Sequence, residues 1–275
     1  MSKLSSGKSH SDENFPVASF ILKPEHRTPI MAFYRFARAA DDIADHAEAS
    51  DAEKLSLLGQ MRAGLDGSGA PEAMALADVA RERGLDLVHA HDLLGAFTQD
   101  VTVRRYQDWN ALIGYCRLSA MPVGRFVLDV HGEERGIWPL SDALCAALQV
   151  INHLQDCGED YRTLGRVYVP LDALEGAGVG VEVLGAERAS SALRRVIAGL
   201  ARQTQGLLEH SAAFASSIRD KRLAAEVAVI QALAEDLTKL LMRRDPLSEP
   251  VHHSKLRSGG VAIKALLRHY LGGQA

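Results

Sequence analysis

The sequence predicts an all-α protein organised as one domain, and three observations carry that prediction. Only 5% of the 275 residues are aromatic, while Ala, Leu, Arg and Glu dominate long stretches, a composition that favours helices over sheets. The nine prolines leave 30–70, 72–121 and 171–245 uninterrupted, and within those intervals apolar residues recur three and four apart, the helical period. The sole β-like run, Gly165-Arg-Val-Tyr-Val-Pro170, is short and reads as an extended connection rather than part of a sheet.

Taken in order, the chain starts with a dozen Ser- and Lys-rich residues that read as a disordered tail, and 13–275 then reads as a single domain of about ten helices. Breakers stand where connections are needed: Gly64 to Pro71 holds three Gly and a Pro, Gly132 to Pro139 follows a helix end, and Glu175 to Gly180 is Gly-rich. No fixed-period repeat and no low-complexity linker divides the chain.

With 47% hydrophobic residues, 24% charged residues and a formal net charge of -4, the composition is that of a globular protein with one sizeable core. It lacks the clustered Lys and Arg that a nucleic-acid-binding surface requires, so nucleic acid is not an expected partner. Cys116, Cys145 and Cys157 are odd in number and lack metal-site spacing, which fits small core residues in a reducing cytoplasm. No leader is evident, and no run approaches the roughly 18 apolar residues of a spanning helix.

Chemistry concentrates in two stretches. In Arg38-Ala-Ala-Asp41-Asp42-Ile-Ala-Asp45 the carboxylates of Asp41 and Asp45 stand four apart on one helix face, and Tyr34 and Arg38 continue that stripe backwards among Phe33, Phe36, Ala37, Ala40 and Ala44. In the second stretch Gln149, Asn152, Asp156 and Asp160 are spaced three, four and four apart, one polar line along a helix otherwise made apolar by Leu144, Leu148, Ile151 and Leu154. Either stripe alone could be a solvated acidic face. Two of them, each extended by matched polar groups and neither followed by a Lys four residues on, point instead to a shared cation. Donor sets of Asp and Asn oxygens suit Mg²⁺, which bridges to substrate phosphates. A di-iron site is disfavoured because the only Glu-x-x-His, Glu249 to His252, is interrupted by Pro250. Neither Gly-rich turn has the form of a P-loop or a dinucleotide fingerprint.

These two motifs resemble those of the squalene and phytoene synthases, and the resemblance runs from Glu13 to about Leu247. It implies an isoprenoid-synthase helical bundle with a central active-site cavity. Asp41, Asp45, Asn152, Asp156 and Asp160 are then the metal ligands, with Asn152 and Asp156 foremost for direct contact, and the four aspartates carry catalysis with Tyr115, a cavity residue. Arg38 is implied to hold diphosphate oxygens, Tyr34 to lie near the first metal site and Gln149 to meet substrate. Glu13-Asn14-Phe15-Pro16 is similar to a segment that closes over the diphosphate, placing Asn14 and Phe15 at the substrate. Arg162 and Arg166 either answer the diphosphate charge or lie exposed on the surface.

One departure matters for the reaction. Condensing members usually carry Val-Ala-Gly where this chain has Ser119-Ala-Met-Pro122 before Val123-Gly124. That is similar to the branch of the family in which presqualene diphosphate is ionised and the cation is captured by water, a carbon–oxygen lyase reaction. The expected pocket wall includes Phe33, Phe126 and Val127. Pro122, taken as lying inside a helix, would free the Leu118 carbonyl and hold one water together with Ser119, the alternative being a plain kink. Head-to-head condensation of allylic diphosphates and a non-catalytic role in an isoprenoid-synthesising complex are the rival readings. Contact with neighbouring pathway enzymes and peripheral contact with the inner membrane face are further expectations. For the latter, 255–271 could be an amphipathic surface helix or could simply pack on the domain.

Overall fold

The computed structural model describes residues 23–271, so the expected tail and the Glu13 to Pro16 segment, with Asn14 and Phe15, lie outside the described residues. Among the described residues there is no strand. The elements in order are α1 (Pro24–Ala44), α2 (Asp51–Leu65), α3 (Pro71–Arg83), α4 (Val88–Thr102), α5 (Trp109–Ser119), α6 (Met121–Val130), α7 (Trp138–Gln155), the single turn α8 (Cys157–Glu159), α9 (Leu171–Gly176), α10 (Ser191–His210), the short α11 (Phe214–Ser217), α12 (Lys221–Leu241) and α13 (Lys255–Leu271).

Local chemistry sets the boundaries. Ser50 and Glu53 form a reciprocal capping box at α2, and Asp108 caps α5 by accepting from the Ala111 N–H at 2.8 Å. Gly84 closes α3 at φ 64, where a Cβ would be strained. Pro29 lies within α1 instead of ahead of it; the helical bond it removes is that to the Glu25 carbonyl in the exposed first turn, where the loss costs little. Pro122 likewise differs from expectation. The chain breaks at Ala120, and Pro122 sits in the first turn of α6, a position that tolerates its missing N–H.

Two hydrophobic cores result. The smaller is built from α1 to α4 with Phe126 of α6, and includes Phe33, Phe36, Met61, Leu76 and Leu94. The larger is built mainly from α5, α7, α10 and α12, and includes Leu112, Val150, Ile151, Leu200 and Leu237. Phe33 and Phe126 stack at a centroid distance of 4.2 Å within the smaller core, so they pack against one another where the sequence suggested a pocket wall; Val127 packs against the larger core. α4 touches both cores, through Ala96 and through Leu93, Leu94, Phe97 and Val101. α1 does the same through Ile30. The stretch Trp109–Val130 is apolar and long enough by composition to span a membrane, but it is a helix pair broken at Ala120 with Leu112, Tyr115, Cys116, Phe126 and Leu128 buried in the protein.

The thiols behave as core groups. Burial pushes Cys116 and Cys157 up to about 12 and Cys145 up to about 11, leaving no reactive thiolate at neutral pH.

The two cores are also tied at the end away from the carboxylate stripes. The Glu133 carboxylate, in the turn after α6, accepts from the Arg219 and Asp220 N–H groups at 2.8 to 3.1 Å. Asp220 then caps α12 through the N–H groups of Arg222 and Leu223. It also meets His131 at 3.5 Å and Lys23 at 3.4 Å. Burial alone would raise the Asp220 carboxyl, but those N–H groups, His131 and Lys23 outweigh it and bring it down to about 2. Its stabilisation is therefore complete above the unfolded value of about 3.9 and disappears as pH falls toward 2. Asp220→Ala is expected to lose about 1 to 2 kcal/mol in urea unfolding at pH 7. The difference from the parent protein should shrink steadily between pH 4 and pH 2.

Candidate active site

The first stripe is where the helical spacing placed it. Tyr34, Arg38, Asp41 and Asp45 are all half-buried on and just beyond α1, with Asp45 as its C-cap. Arg38 reaches along the stripe to Asp41 at 2.6 Å and to Asp42 at 2.7 Å, so the guanidinium is held among the acids of the stripe. Asp42 is a partner that the motif spacing did not single out.

The second stripe departs from a single regular helix. α7 stops at Gln155, Asp156 is its C-cap, α8 supplies one turn, and Asp160–Leu164 forms a π-helical turn that ends at Gly165, φ 63. The stripe survives because the hydrogen-bond register is kept across the break: Asp156 N–H donates to the Asn152 carbonyl and Asp160 N–H to the Asp156 carbonyl, both at 2.9 Å. Asn152, Asp156 and Asp160 thus still rise one above another, on backbone that is locally re-aimed. Gly158, in the single turn α8, leaves room for two side chains beside it. A Cβ there would meet Leu247 at 2.6 Å and the Arg162 guanidinium at 3.1 Å.

Burial first, and then the neighbouring Asp160 carboxylate, raise the Asp156 carboxyl above its ordinary range. His153, which bonds Gln149 at 3.1 Å, lies 3.9 Å from Asp160. Crowded oxygen donors of this kind fit a hard divalent cation, which relieves their mutual repulsion. The oxygen donors of Asn152, Asp156 and Asp160 therefore suit a metal bound through oxygen, and Asp41 and Asp45 offer donors of the same kind from the first stripe, where each meets an arginine.

Between the stripes lies a network in which the sequence named Arg166 and Tyr115 but not Asp100 or Tyr168. Arg166, 4% exposed, donates to Asp45 at 2.5 Å, to the Ala44 carbonyl at 2.9 Å and to the Asp100 carbonyl at 2.9 Å. It is therefore buried, not on the surface, and its guanidinium orients Asp45. Arg162, by contrast, is exposed and lines a cavity of about 290 Å³ with Asp156, Glu159 and residues 246–252.

Asp100, near the end of α4, accepts from the Tyr115 hydroxyl at 2.9 Å and the Tyr168 hydroxyl at 2.7 Å. Tyr168 in turn stacks on His153 at 3.6 Å. Burial raises the Asp100 carboxyl, against the opposing pull of Arg166 and the two tyrosines. Tyr115 itself is buried, and desolvation followed by Asp100 lifts its hydroxyl well above the usual value, which keeps it a neutral donor. One signal for Asp100 was legible: it occupies the buried stripe of α4 with Leu93 and Phe97, an acid where the period calls for an apolar side chain. Nothing in the sequence marked Tyr168 beyond its place in the extended run. That run is an extended connection as expected, latched to 104–107 by one isolated bridge, Arg105 to Val167, and by the Leu171 N–H to Tyr106 carbonyl bond at 3.0 Å.

Removing Arg166 strands Asp45 and two carbonyls. Arg166→Ala is expected to cost about 3 kcal/mol of stability in denaturant unfolding, and Arg166→Lys should recover only part, because an ammonium cannot serve three acceptors in a fixed plane.

Comparison with known proteins agrees with this architecture. Residues 8–257 match the family model described as squalene/phytoene synthase. The chain is 54% identical over 266 residues to the hydroxysqualene synthase of Zymomonas mobilis, covering 95% of this chain and 90% of the relative. It is 55% identical to that of Rhodopseudomonas palustris, covering 91% and 87%. Among solved structures it is similar to a squalene synthase HpnC from Alicyclobacillus acidocaldarius, with 31% identity, a TM-score of 0.72 and coverage of 82% of this chain and 87% of that one. A dehydrosqualene synthase in complex with ligand shares the fold at 22% identity and a TM-score of 0.80, with coverage of 95% and 93%. On the family match and on relatives of this identity and coverage, the chain belongs to the squalene/phytoene synthase family.

Proposed function

We propose that this protein ionises presqualene diphosphate and has the cation captured by water, releasing hydroxysqualene and diphosphate, with Mg²⁺ held by Asp41, Asp45, Asn152, Asp156 and Asp160. The observation that carries this reading is the likeness of nearly the whole chain, at 49 to 55% identity, to three proteins named hydroxysqualene synthase. A phytoene synthase of Mycobacterium tuberculosis aligns with 60% of the chain at 32% identity. Buried and half-buried thiols, none in a disulfide, agree with a reducing cytoplasm as the place of action.

In the reaction the carbon–oxygen bond breaks heterolytically and its electron pair leaves with the diphosphate. The remaining cyclopropylcarbinyl cation rearranges, a water oxygen forms the new carbon–oxygen bond, and the water gives up a proton. Magnesium, when bound, supplies electrostatic stabilisation of the leaving diphosphate. The chain's own residues prepare the setting. Arg166 fixes the orientation of Asp45, and the backbone hydrogen bonds across the break keep Asp156 and Asp160 in register. Arg38 would turn N–H groups from Asp41 and Asp42 toward diphosphate oxygens, and Gln149, held by His153, would meet the substrate.

The cluster of Tyr106, Tyr115, Tyr168 and His153, with centroids 3.6 to 5.8 Å apart, supports a dry, aromatic setting for a carbocation. Ser119 Oγ is buried with no hydrogen-bond partner, and it stands at the break beside Pro122. An unspent hydroxyl at that place supports a role in holding the capturing water.

Purified protein with Mg²⁺ should yield hydroxysqualene from presqualene diphosphate and no product from farnesyl diphosphate. A hydrocarbon or presqualene diphosphate from the second substrate would move the protein to the condensing branch, and inactivity with both would favour a non-catalytic subunit. Asp156→Asn and Asp45→Asn should each lower kcat/KM by about two to three orders of magnitude, with partial recovery at high Mg²⁺. Ser119→Ala should divert product toward other alcohols or hydrocarbons while the rate of diphosphate release stays close to that of the parent protein.

A further inference from the structure

α13 presents two unlike faces. On one, Ala265 is buried and Val261, Ala262 and Leu266 are half-buried where the helix packs along α12, and Arg257 is fixed to Asp236 of α12 at 2.6 and 2.8 Å. On the other, Leu256, Ile263, Leu267, Tyr270 and Leu271 are 55 to 89% exposed. At 3.6 residues per turn these five fall within an arc of about 100°, opposite Ala265. Lys264 and Arg268 border one edge of the stripe and Lys255 the other. The helix contains no Asp or Glu, and among the described residues no acid pairs with these three cations.

A contiguous apolar stripe on a globular surface marks an interaction site, and its border of cations selects the partner. We propose that this face of α13 rests on the surface of an anionic phospholipid bilayer, with the five apolar side chains in the boundary between headgroups and acyl chains and Lys255, Lys264 and Arg268 among the lipid phosphates. A second copy of the chain fits less well. A two-fold pairing of the stripe would bring Lys264 and Arg268 toward the same cations of the other copy, with no acid on the helix to meet them. One face of α13 remains committed to α12, so the helix lies on the membrane and does not cross it.

The placement also concerns the active site. Just before α13, the Val251 carbonyl accepts from Gln155 Nε2, and Gln155 is the neighbour of Asp156 in the second stripe. A docked α13 therefore holds that end of the site at a fixed height above the lipid. This inference rests on exposure and charge, and its test needs no substrate, so it stands or fails separately from the reaction.

The full chain should co-sediment with vesicles of phosphatidylcholine mixed with phosphatidylglycerol, bind phosphatidylcholine vesicles weakly, and be released from the mixed vesicles by salt. Combined Ile263→Asp and Leu267→Asp should abolish binding. Combined Lys264→Gln and Arg268→Gln should weaken it on the order of thirtyfold, from the loss of two cations near an anionic surface. All four positions are exposed or border the stripe, so circular dichroism melting should be unchanged, as should turnover of detergent-dispersed substrate. Absence of binding by the parent protein, or equal binding by the aspartate variant, overturns the proposal. So does a dimer in sedimentation velocity that the aspartate variant dissolves, which would assign the stripe to a second copy.

Discussion

A guanidinium shut away from water must find every acceptor inside the protein, and the way Arg166 does so organises the site. Burial works against its charge, but Tyr168, Asp45 and Asp100 around it more than offset that and hold it protonated. Its three bonds join the end of α1, through Asp45 and the Ala44 carbonyl, to the end of α4 at the Asp100 carbonyl. The residue itself comes from the connection after the π-helical turn, so three segments distant in sequence are fixed by one planar group. Breaking such a buried pair exposes the full cost of an unpaired charge, which makes the geometry of Asp45 rigid.

From that anchor the site extends along the seam between the two cores. Asp100 passes the constraint to Tyr115 on α5 and to Tyr168, and Tyr168 passes it to His153 on α7 by ring stacking. The two carboxylate stripes are thus built on different cores but share one polar network. The cores supply rigidity without supplying chemistry, and the seam is where acids can be half-buried, crowded and still reachable. Burial, and then crowding by Asp160, leave Asp156 with a raised pKa. That charge arrangement is unfavourable alone, and the cation and anionic substrate proposed for the site would relieve it.

The departures from regular structure fall at the same places. The break at Ala120, the end of α7 at Asp156 and the π-helical turn at Asp160 each lie beside a residue with a proposed chemical role, whereas the long core helices α10 and α12 are regular. Irregular backbone frees or re-aims polar groups that a continuous helix would consume. The unpartnered hydroxyl of Ser119 is one product of that, and the half-turned stripe of Asp156 and Asp160 is another. On the outside, α13 has the opposite character. It is a regular helix, fastened along one side to α12, with an outward face that water satisfies poorly.

Much of this was legible in the sequence. The all-α class follows from composition and proline spacing, because helix formation is governed by local propensity and by apolar residues at a period that can be counted. The first stripe was readable for the same reason: Tyr34, Arg38, Asp41 and Asp45 lie on and just beyond one uninterrupted helix, so sequence spacing is spatial spacing. Other features depend on which segments meet. The role of Arg166, the membership of Asp100 and Tyr168, and the placement of Phe33 against Phe126 could not be counted along the chain, because each partner lies many residues away. The helix break at Asp156 was hidden too, since the spacing of three, four and four is that of a continuous helix, and the hydrogen bonds from Asp156 and Asp160 preserve that spacing across the break. Local period fixed the helices and the stripes; the choice of partner for each buried charge waited on the tertiary structure, because an ion pair or a stacked ring is decided by proximity in space and by the exclusion of water, neither of which is a property of sequence distance.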